Sequence, residues 1–367
     1  MADKNKYVCL DDFENDSREI LEASRFSYFS DGCNEQFTLK ENREAFKRYR
    51  LRPKILRDVS NIDLNTTILG ERISWPVCLS PTAFHRMADY NEGEVATARA
   101  AASVGSAMAL SCVSTRTIED VAAVTPRGVR WMQVQFYKPR AQLEVLIKRA
   151  EKAGFTALLV TVDQPKIGDK YSIMRVKNAL QFQLQDHEKP VNLPKDNYTN
   201  GNEIISKFDD SATWQDVKWL KYFTKLPLVL KGITTGDQAK NAVECGVDGI
   251  LVSNHGGRQL DYLPATIDAL PEVVAAVAGS GVEVYMDGGV RHGTDVFKAL
   301  ARGARAVFIG RPIIWGLTCN GYEGAKQVLD ILKDEVEKVM AFMGCRNVNE
   351  IEPSMVVHED YYRKCKL

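Results

Sequence analysis

The chain has no excess charge of either sign: 48 lysines and arginines balance 48 aspartates and glutamates over 367 residues. No basic stripe runs along it, which argues against a nucleic-acid footprint. No apolar run approaches the roughly 18 residues that a membrane-spanning helix needs. The N-terminal stretch MADKNKYVCLDDFEND is polar and mixed in charge, without the apolar core of a secretory signal or the Arg-rich helix of a mitochondrial one. Eight cysteines are scattered from Cys9 to Cys365 with no C-x-x-C pair and no zinc spacing. They read as reduced thiols filling core gaps, and no metal site is expected.

What is present is an alternation. From residue 77 onward, short apolar runs alternate with helical patterns. The runs are VCLSP (77–81), AMALS (107–111), VRWMQVQF (129–136), ALLVTVD (157–163), PLVLKG (227–232), GILVSN (249–254), VEVYMDG (282–288) and AVFIG (306–310). They are near-continuously apolar, the pattern of parallel strands covered on both faces. Helical segments such as NEGEVATARAAASVG and RAQLEVLIKRAEKAG lie between them and end at glycine, a C-cap signal. Eight strand-then-helix units predict an α/β fold, a (β/α)8 TIM barrel occupying the chain as a single domain, 1–367. A doubly wound sheet is the competitor, but no G-x-G-x-x-G follows the first strand. A barrel needs about 250 residues. The surplus is expected as an N-terminal helical lead-in (1–76), a long polar loop after strand four (165–212) serving as a lid or mobile segment, and an amphipathic C-terminal helix.

In a barrel, the residues that follow each strand meet at one mouth, where active sites form. Here they are Pro81, Thr82 and Ala83; Ser111; Gln133 and Gln135, which share a face; Thr161 and Asp163; Lys231; Ser253, His255 and Arg258; Asp287, Gly288, Gly289 and Arg291; and Gly310 and Arg311. Glycine-rich turns after strands seven and eight, with Arg291 and Arg311, suit a cofactor phosphate. Lys231 ends an apolar strand without an acidic neighbour in sequence, so an anionic cofactor ring would be a suitable partner. Arg258 can grip a carboxylate with two parallel bonds, and a neutral His255 can take a proton from the adjacent carbon or its hydroxyl. Asp163 can hold the imidazole tautomer and stabilise the imidazolium. The glycines between His255 and Arg258 are expected to let substrate and cofactor approach the backbone.

The stretches SNHGGRQLD, VTVDQP, LVLKG, MDGGVRHGTDV and IGRPIIWGL resemble the FMN-dependent α-hydroxy acid oxidases, a family that includes glycolate oxidase and long-chain 2-hydroxy acid oxidase. The likeness runs from YFSDGCNEQFTL near residue 28 to the final tripeptide, and LRPKILRDVS and PTAFHRMA look most like the long-chain peroxisomal branch. The resemblance implies oxidation of an L-2-hydroxy acid to the 2-oxo acid, with FMN as cofactor, oxygen as acceptor and a homotetrameric assembly. It implies that Tyr28 lies over the substrate and that Pro81, Thr82 and Ala83 touch the flavin through the backbone. Ser111, Gln133 and Thr161 would bond the isoalloxazine edge, Lys231 would sit beside N1 and O2, and Ser253 beside the ribityl chain. Asp287, Gly288, Gly289, Arg291, Gly310 and Arg311 would hold the phosphate end. Three positions depart from the family pattern: Gln135 where a tyrosine is usual, Val113 where short-chain enzymes carry tryptophan, and Lys170 where a second arginine is usual. All three are expected to border the substrate. Gln135 also keeps open a non-catalytic FMN-binding relative, and a dehydrogenase with another acceptor stays open too. The C-terminal CKL resembles the S-K-L peroxisomal address.

Overall fold

The structure is a computed structural model that describes residues 6–171, 174, 184–193, 203–204 and 206–364. Cys365 to Leu367 and parts of the 165–212 loop therefore lie outside the described residues. Eight parallel strands close a TIM barrel in chain order: β1 (Val77–Leu79), β2 (Met108–Leu110), β3 (Arg130–Val134), β4 (Ala157–Thr161), β5 (Leu228–Ile233), β6 (Gly249–Val252), β7 (Glu283–Asp287) and β8 (Val307–Ile309). Seven fall inside their apolar runs, and β5 extends one residue, Ile233, beyond its run. The helices are α1 (Glu94–Ser103), α2 (Ile118–Val124), α3 (Ala141–Lys152), α4 (Trp214–Phe223), α5 (Gly236–Glu244), α6 (Thr266–Ala276), α7 (Gly293–Ala301) and α8 (Arg311–Met343). Helix α8 is broken at Asn320 and Gly321, which leave helical geometry.

The strands are apolar on both faces because each face has its own core. One set of strand residues, such as Met132, Leu158, Leu230 and Met286, packs outward beneath the helices. The alternate set points into the barrel: Cys78, Ala109, Trp131, Leu159, Val229, Leu251, Tyr285 and Phe308. Three rings dominate this plug, with Trp131 5.3 Å from both Tyr285 and Phe308. Aromatic pairs at such spacing add about 0.5–1.5 kcal/mol each beyond the burial of their area. The side-chain period of a strand is two. Two residues beyond each plug residue therefore stands the next inward position: Ser80, Ser111, Gln133, Thr161, Lys231, Ser253, Asp287 and Gly310. In one step the barrel interior changes from a dry plug to a polar floor, and that step is where the site begins.

The lead-in is helical only in its first part, through Leu10–Ile20, Ala23–Ser30, Phe37–Glu44 and the 3-10 turn Ala45–Arg48. Beyond it, the expected helical pattern gives way to strands. Tyr49–Leu51 pairs antiparallel with Val356–His358, and Thr66–Ile68 forms a hairpin with Glu71–Ile73. Leu69 and Gly70 make the turn, both at positive φ, which is the geometry a two-residue hairpin loop prefers. Ile68 and Ile73 join the inner core. The hairpin thus closes the end of the barrel opposite the site, while the helical part of the lead-in lies across the mouth. Within the loop after β4, residues 184–193 are anchored. Buried Glu188 bonds Arg25 of the lead-in at 2.7 Å, and Asn192 bonds Ser114 at 2.7 Å.

Candidate active site

The polar floor opens into a cavity of about 370 Å3. Its lining gathers residues from all eight strand ends, including Ser111, Gln133, Thr161, Lys231, Asp287 and Gly310, with Pro81, Thr82, Ala83 and Val113 along one wall. Tyr28, Gln135, Lys170, His255, Arg258, Gly288, Gly289, Arg291 and Arg311 also line it. Two predicted residues stand behind this surface. Ser253 is fully buried, and its hydroxyl accepts the His255 amide at 3.1 Å. Asp163 lies beneath His255.

The loop after β6 is a left-handed turn, with φ of 57° at His255, 62° at Gly256 and 72° at Gly257. The buried Asn254 side chain accepts the Gly257 amide and is itself locked to Asn42 of the lead-in by a pair of amide bonds of 2.8 and 2.7 Å. The glycines are also needed for packing. A Cβ at Gly257 would lie 2.5 Å from the Leu39 backbone nitrogen, and one at Gly256 would lie 2.7 Å from the Arg311 guanidinium. Packing is thus a further reason for the pair, beside the expected approach of substrate and cofactor. The result is that His255 projects into the cavity with Nδ1 3.1 Å from Asp163 Oδ1. A carboxylate only accepts, so Nδ1 carries the proton and Nε2 keeps a lone pair. Gly232, at φ 112°, makes room for this partner, since its Cβ would meet the Asp163 side chain at 2.5 Å.

The electrostatics favour a neutral imidazole. Burial lowers the His255 pKa below its ordinary value of 6.5, Lys231 lowers it further, and Asp163 opposes both. Burial alone would raise the Asp163 carboxyl, but Lys231 and His255 outweigh it and hold it below the usual carboxylate range.

Three cations converge on the C-terminal end of the lead-in helix Ala23–Ser30. Arg258 donates to the carbonyls of Tyr28 (2.7 Å), Phe29 (3.1 Å) and Asp31 (3.3 Å). Arg311 donates to Phe29 (2.8 Å) and to Gly256 (3.0 Å), and Lys170 donates to Tyr28 (3.1 Å). A helix C-terminus attracts positive charge because its last carbonyls are unpaired. Arg258 and Lys170 also lie over the Tyr28 ring, at 5.1 and 4.9 Å from its centre. Crowding has a cost. Burial, then Arg258 and Arg291, bring Arg311 down to about 9, and burial with Arg258 and Arg311 holds Lys170 well below the usual lysine range. The cluster is short of anions, as a site for an anionic ligand should be.

The floor suits a flavin mononucleotide by its donors. Gln133 gives both amide protons to Thr161 Oγ1 (3.0 Å) and the Val134 carbonyl (3.2 Å), and Ser111 Oγ accepts the Val113 amide (3.1 Å). The hydroxyl protons of Thr161 and Ser111 are thereby left to point elsewhere. Lys231 Nζ, Asp287 Oδ1 and Arg291 Nε are buried without a hydrogen-bond partner among the described residues. Unpaired buried groups of this kind are costly and mark a missing ligand. Lys231 Nζ and the hydroxyls of Ser111 and Thr161 are donors that would suit the carbonyl and nitrogen edge of an isoalloxazine ring. Gly310 adds a second sign. A Cβ there would meet Thr82 Cγ2 at 3.4 Å, an ordinary contact, so the protein itself does not require glycine. Gly288 and Gly289 differ: a Cβ at Gly289 would lie 1.9 Å from the Asn42 carbonyl, so lead-in packing demands it. The amides of Arg291 and His292 are taken by Asp295, each at 3.0 Å, which leaves the Arg291 side chain as the turn's contribution to an anion.

The FMN-dependent dehydrogenase family matches residues 17–358. The chain belongs to this family. FMN is its cofactor, and the chain is an FMN-dependent 2-hydroxyacid oxidase in class. It is 48% identical to 2-hydroxyacid oxidase 1 of Mus musculus, over 96% of each chain. It is 46% identical to a peroxisomal (S)-2-hydroxyacid oxidase of Arabidopsis thaliana, over 97% of this chain and 98% of that one. Among solved structures it resembles mandelate oxidase, with a TM-score of 0.87 and 37% identity over 95% of this chain and 97% of that one.

Sequence reasoning missed several neighbours of the site. Ser80 bonds Asp287 at 3.3 Å and lines the cavity. It occupies the same inward register as Ser111, so the period of β1 could have found it. Gln164 accepts a bond of 2.6 Å from Gln135, and nothing in the sequence marks that pairing. His85 is buried between Thr82 and Thr97, bonded to both hydroxyls, and so fixes a threonine of the cavity wall.

Proposed function

We propose that this family member oxidises L-2-hydroxy acids to 2-oxo acids with molecular oxygen as acceptor and hydrogen peroxide as product. The observation that carries the reading is His255, which lines the cavity with Nδ1 held by Asp163 and no bond to Nε2 among the described residues, and is flanked by Arg258. Arg258 receives the substrate carboxylate with guanidinium nitrogens other than the one already bonded to the lead-in carbonyls. Tyr28 covers the same end of the substrate. His255 accepts the proton released from the C2 carbinol, and Asp163 stabilises the imidazolium that results. Bound FMN supplies the two-electron acceptor. Lys231, buried without a partner among the described residues, would set its positive charge beside the ring. Ser111, Gln133 and Thr161 would hold the ring edge, and Arg291, Arg311 and Asp287, with Gly310, would hold the phosphate end. Ser253 supports the His255 loop from below.

The substrate side chain is larger than that of glycolate. Val113 replaces a bulky indole on the cavity wall, which favours medium-chain or aromatic acids. Lys170, held by the Tyr28 carbonyl, lines the cavity beside Arg258 and adds a second positive charge at that end. The peroxisome is the proposed location, supported by CKL and by the likeness to the peroxisomal oxidase of Arabidopsis thaliana. A homotetramer is the proposed assembly, on the family resemblance.

Anaerobic mixing with a panel of 2-hydroxy acids tests the reading. The yellow protein should bleach, recover its colour in air and release peroxide. Bleaching by no acid at all would indicate an FMN-binding relative, and bleaching that air does not reverse would indicate a dehydrogenase. A higher specificity constant for glycolate than for larger acids would defeat the substrate assignment. An amide that binds as well as its parent acid would remove Arg258 from its assigned role.

A further inference from the structure

A second cavity of about 400 Å3 adjoins the first at the ends of β3, β4 and β5. Gln135, Thr161, Gln164 and Phe208 line both cavities. The partition between them contains a hydrogen bond of 2.6 Å from Gln135 Nε2 to Gln164 Oε1. Beyond it, Phe136, Phe208, Trp214, Val217 and Ile233 form an apolar part of the wall, with Asp209, Thr213 and Gln238 as its polar part. The rim residues Pro165, Asp210, Thr213 and Gln238 are exposed, so the cleft opens to solvent.

We propose that this cleft is an exit groove for the substrate's side chain, entered past the Gln135–Gln164 pair, and that the substrate class is long, unbranched, monocarboxylic 2-hydroxy acids. The inference rests on the functional reading above. Two flexible amides make a partition that swings aside at the cost of one neutral hydrogen bond, a small term in either direction. An alkyl chain passing them replaces water along the apolar part of the wall. The groove ends in solvent, so it sets no upper limit on length. Its rim excludes a second carboxylate. Asp209 and Asp210 stand there, and Lys138, bonded to them at 2.9 and 2.8 Å, neutralises one of the two charges.

The test is the specificity constant across straight-chain L-2-hydroxy acids from lactate to 2-hydroxydecanoate. It should rise about fourfold per added methylene while the chain lies in the groove, from the free energy of burying one CH2. It should then level off once the end reaches solvent, and 2-hydroxyglutarate should be poor. In Ala212→Phe, which narrows the groove at a residue outside the catalytic site, lactate should keep its specificity constant within about twofold. 2-Hydroxyoctanoate should lose about tenfold or more, the sum of two or more buried methylenes. The length series on the native protein stands by itself if that variant does not fold. Lactate turned over with no advantage for longer acids, or a sharp fall beyond some length, overturns the groove alone. Failure of every acid to reduce the flavin overturns the functional reading and the groove with it.

Discussion

Replacing Asp163 by asparagine keeps the shape of the His255 partner and removes its charge. The carboxylate oxygen lies 3.1 Å from His255 Nδ1. With charge centres roughly 2 Å further apart than that contact, the attraction to an imidazolium is about 3 kcal/mol at an effective dielectric near 20. An attraction of that size, present when His255 has taken up a proton and absent before, is worth about 10²-fold in rate. The Asp163→Asn protein should therefore hold FMN and reduce it about 10²-fold more slowly at saturating acid. The pH profile gives a second signature. Proton uptake needs neutral His255, so activity is lost as pH falls through its pKa, which burial and Lys231 place below 6.5 and Asp163 partly restores. Without the carboxylate, that acid limb should move to still lower pH. Stopped-flow flavin reduction between pH 5 and 8 measures both effects. A reduction rate within about threefold of the native protein, or an acid limb displaced upward, would refute the assigned role.

Lys231→Met should shift the acid limb the opposite way, upward, because Lys231 depresses the His255 pKa; FMN affinity by fluorescence titration should fall about tenfold or more, as expected for loss of one charged contact. Gly310→Ala should fold with a near-native melting temperature and lose FMN affinity, whereas Gly289→Ala, with its Cβ 1.9 Å from the Asn42 carbonyl and φ at 80°, should lose the folded state outright; thermal melts with and without FMN separate the two. The last dozen residues fused to a fluorescent carrier should direct it to peroxisomes, and a diffuse cytosolic signal would exclude CKL as an address in that cell type.

The barrel was legible because its strands carry their own burial pattern. Runs such as ALLVTVD are apolar on both faces, and the inward set ends at a polar residue in seven of the eight strands and at Gly310 in the eighth. Position along a strand could therefore be read directly as position in the site. Partners could not. Arg258 meets the Tyr28 carbonyl across 230 residues of sequence, and no periodicity reveals that a lead-in helix ends over the mouth. The same distance hid the packing reason for Gly256 and Gly257, which answer to Arg311 and Leu39. Helix α2 has only seven residues, and its Thr117–Asp120 capping box is its clearest mark in the sequence. The hairpin that closes the far end was absorbed into a supposed helical lead-in, although TTILGERI alternates around a Leu69–Gly70 turn.

Gln135 is the position where the family pattern and the structure pull hardest against each other. A tyrosine there would send a rigid O–H donor toward the substrate. The glutamine spends one of its two Nε2 protons on Gln164 at 2.6 Å and lies on the boundary between the two cavities. It therefore gives the site less and closes the throat only with a bond that can be broken. Gln135→Tyr should reverse both effects. One added donor aimed at the reacting group is worth about 10²–10³ in rate when well placed, so flavin reduction by lactate should accelerate. The ring should also fill the throat, so the advantage of long acids over lactate should shrink. Anaerobic stopped-flow reduction of both proteins with lactate and 2-hydroxyoctanoate measures the two effects separately. If the tyrosine variant is no faster with any acid, the amide pair belongs to substrate recognition itself. The substrate would then be an acid carrying a polar group at the depth of Gln135, and the assignment to unbranched alkyl acids would fall.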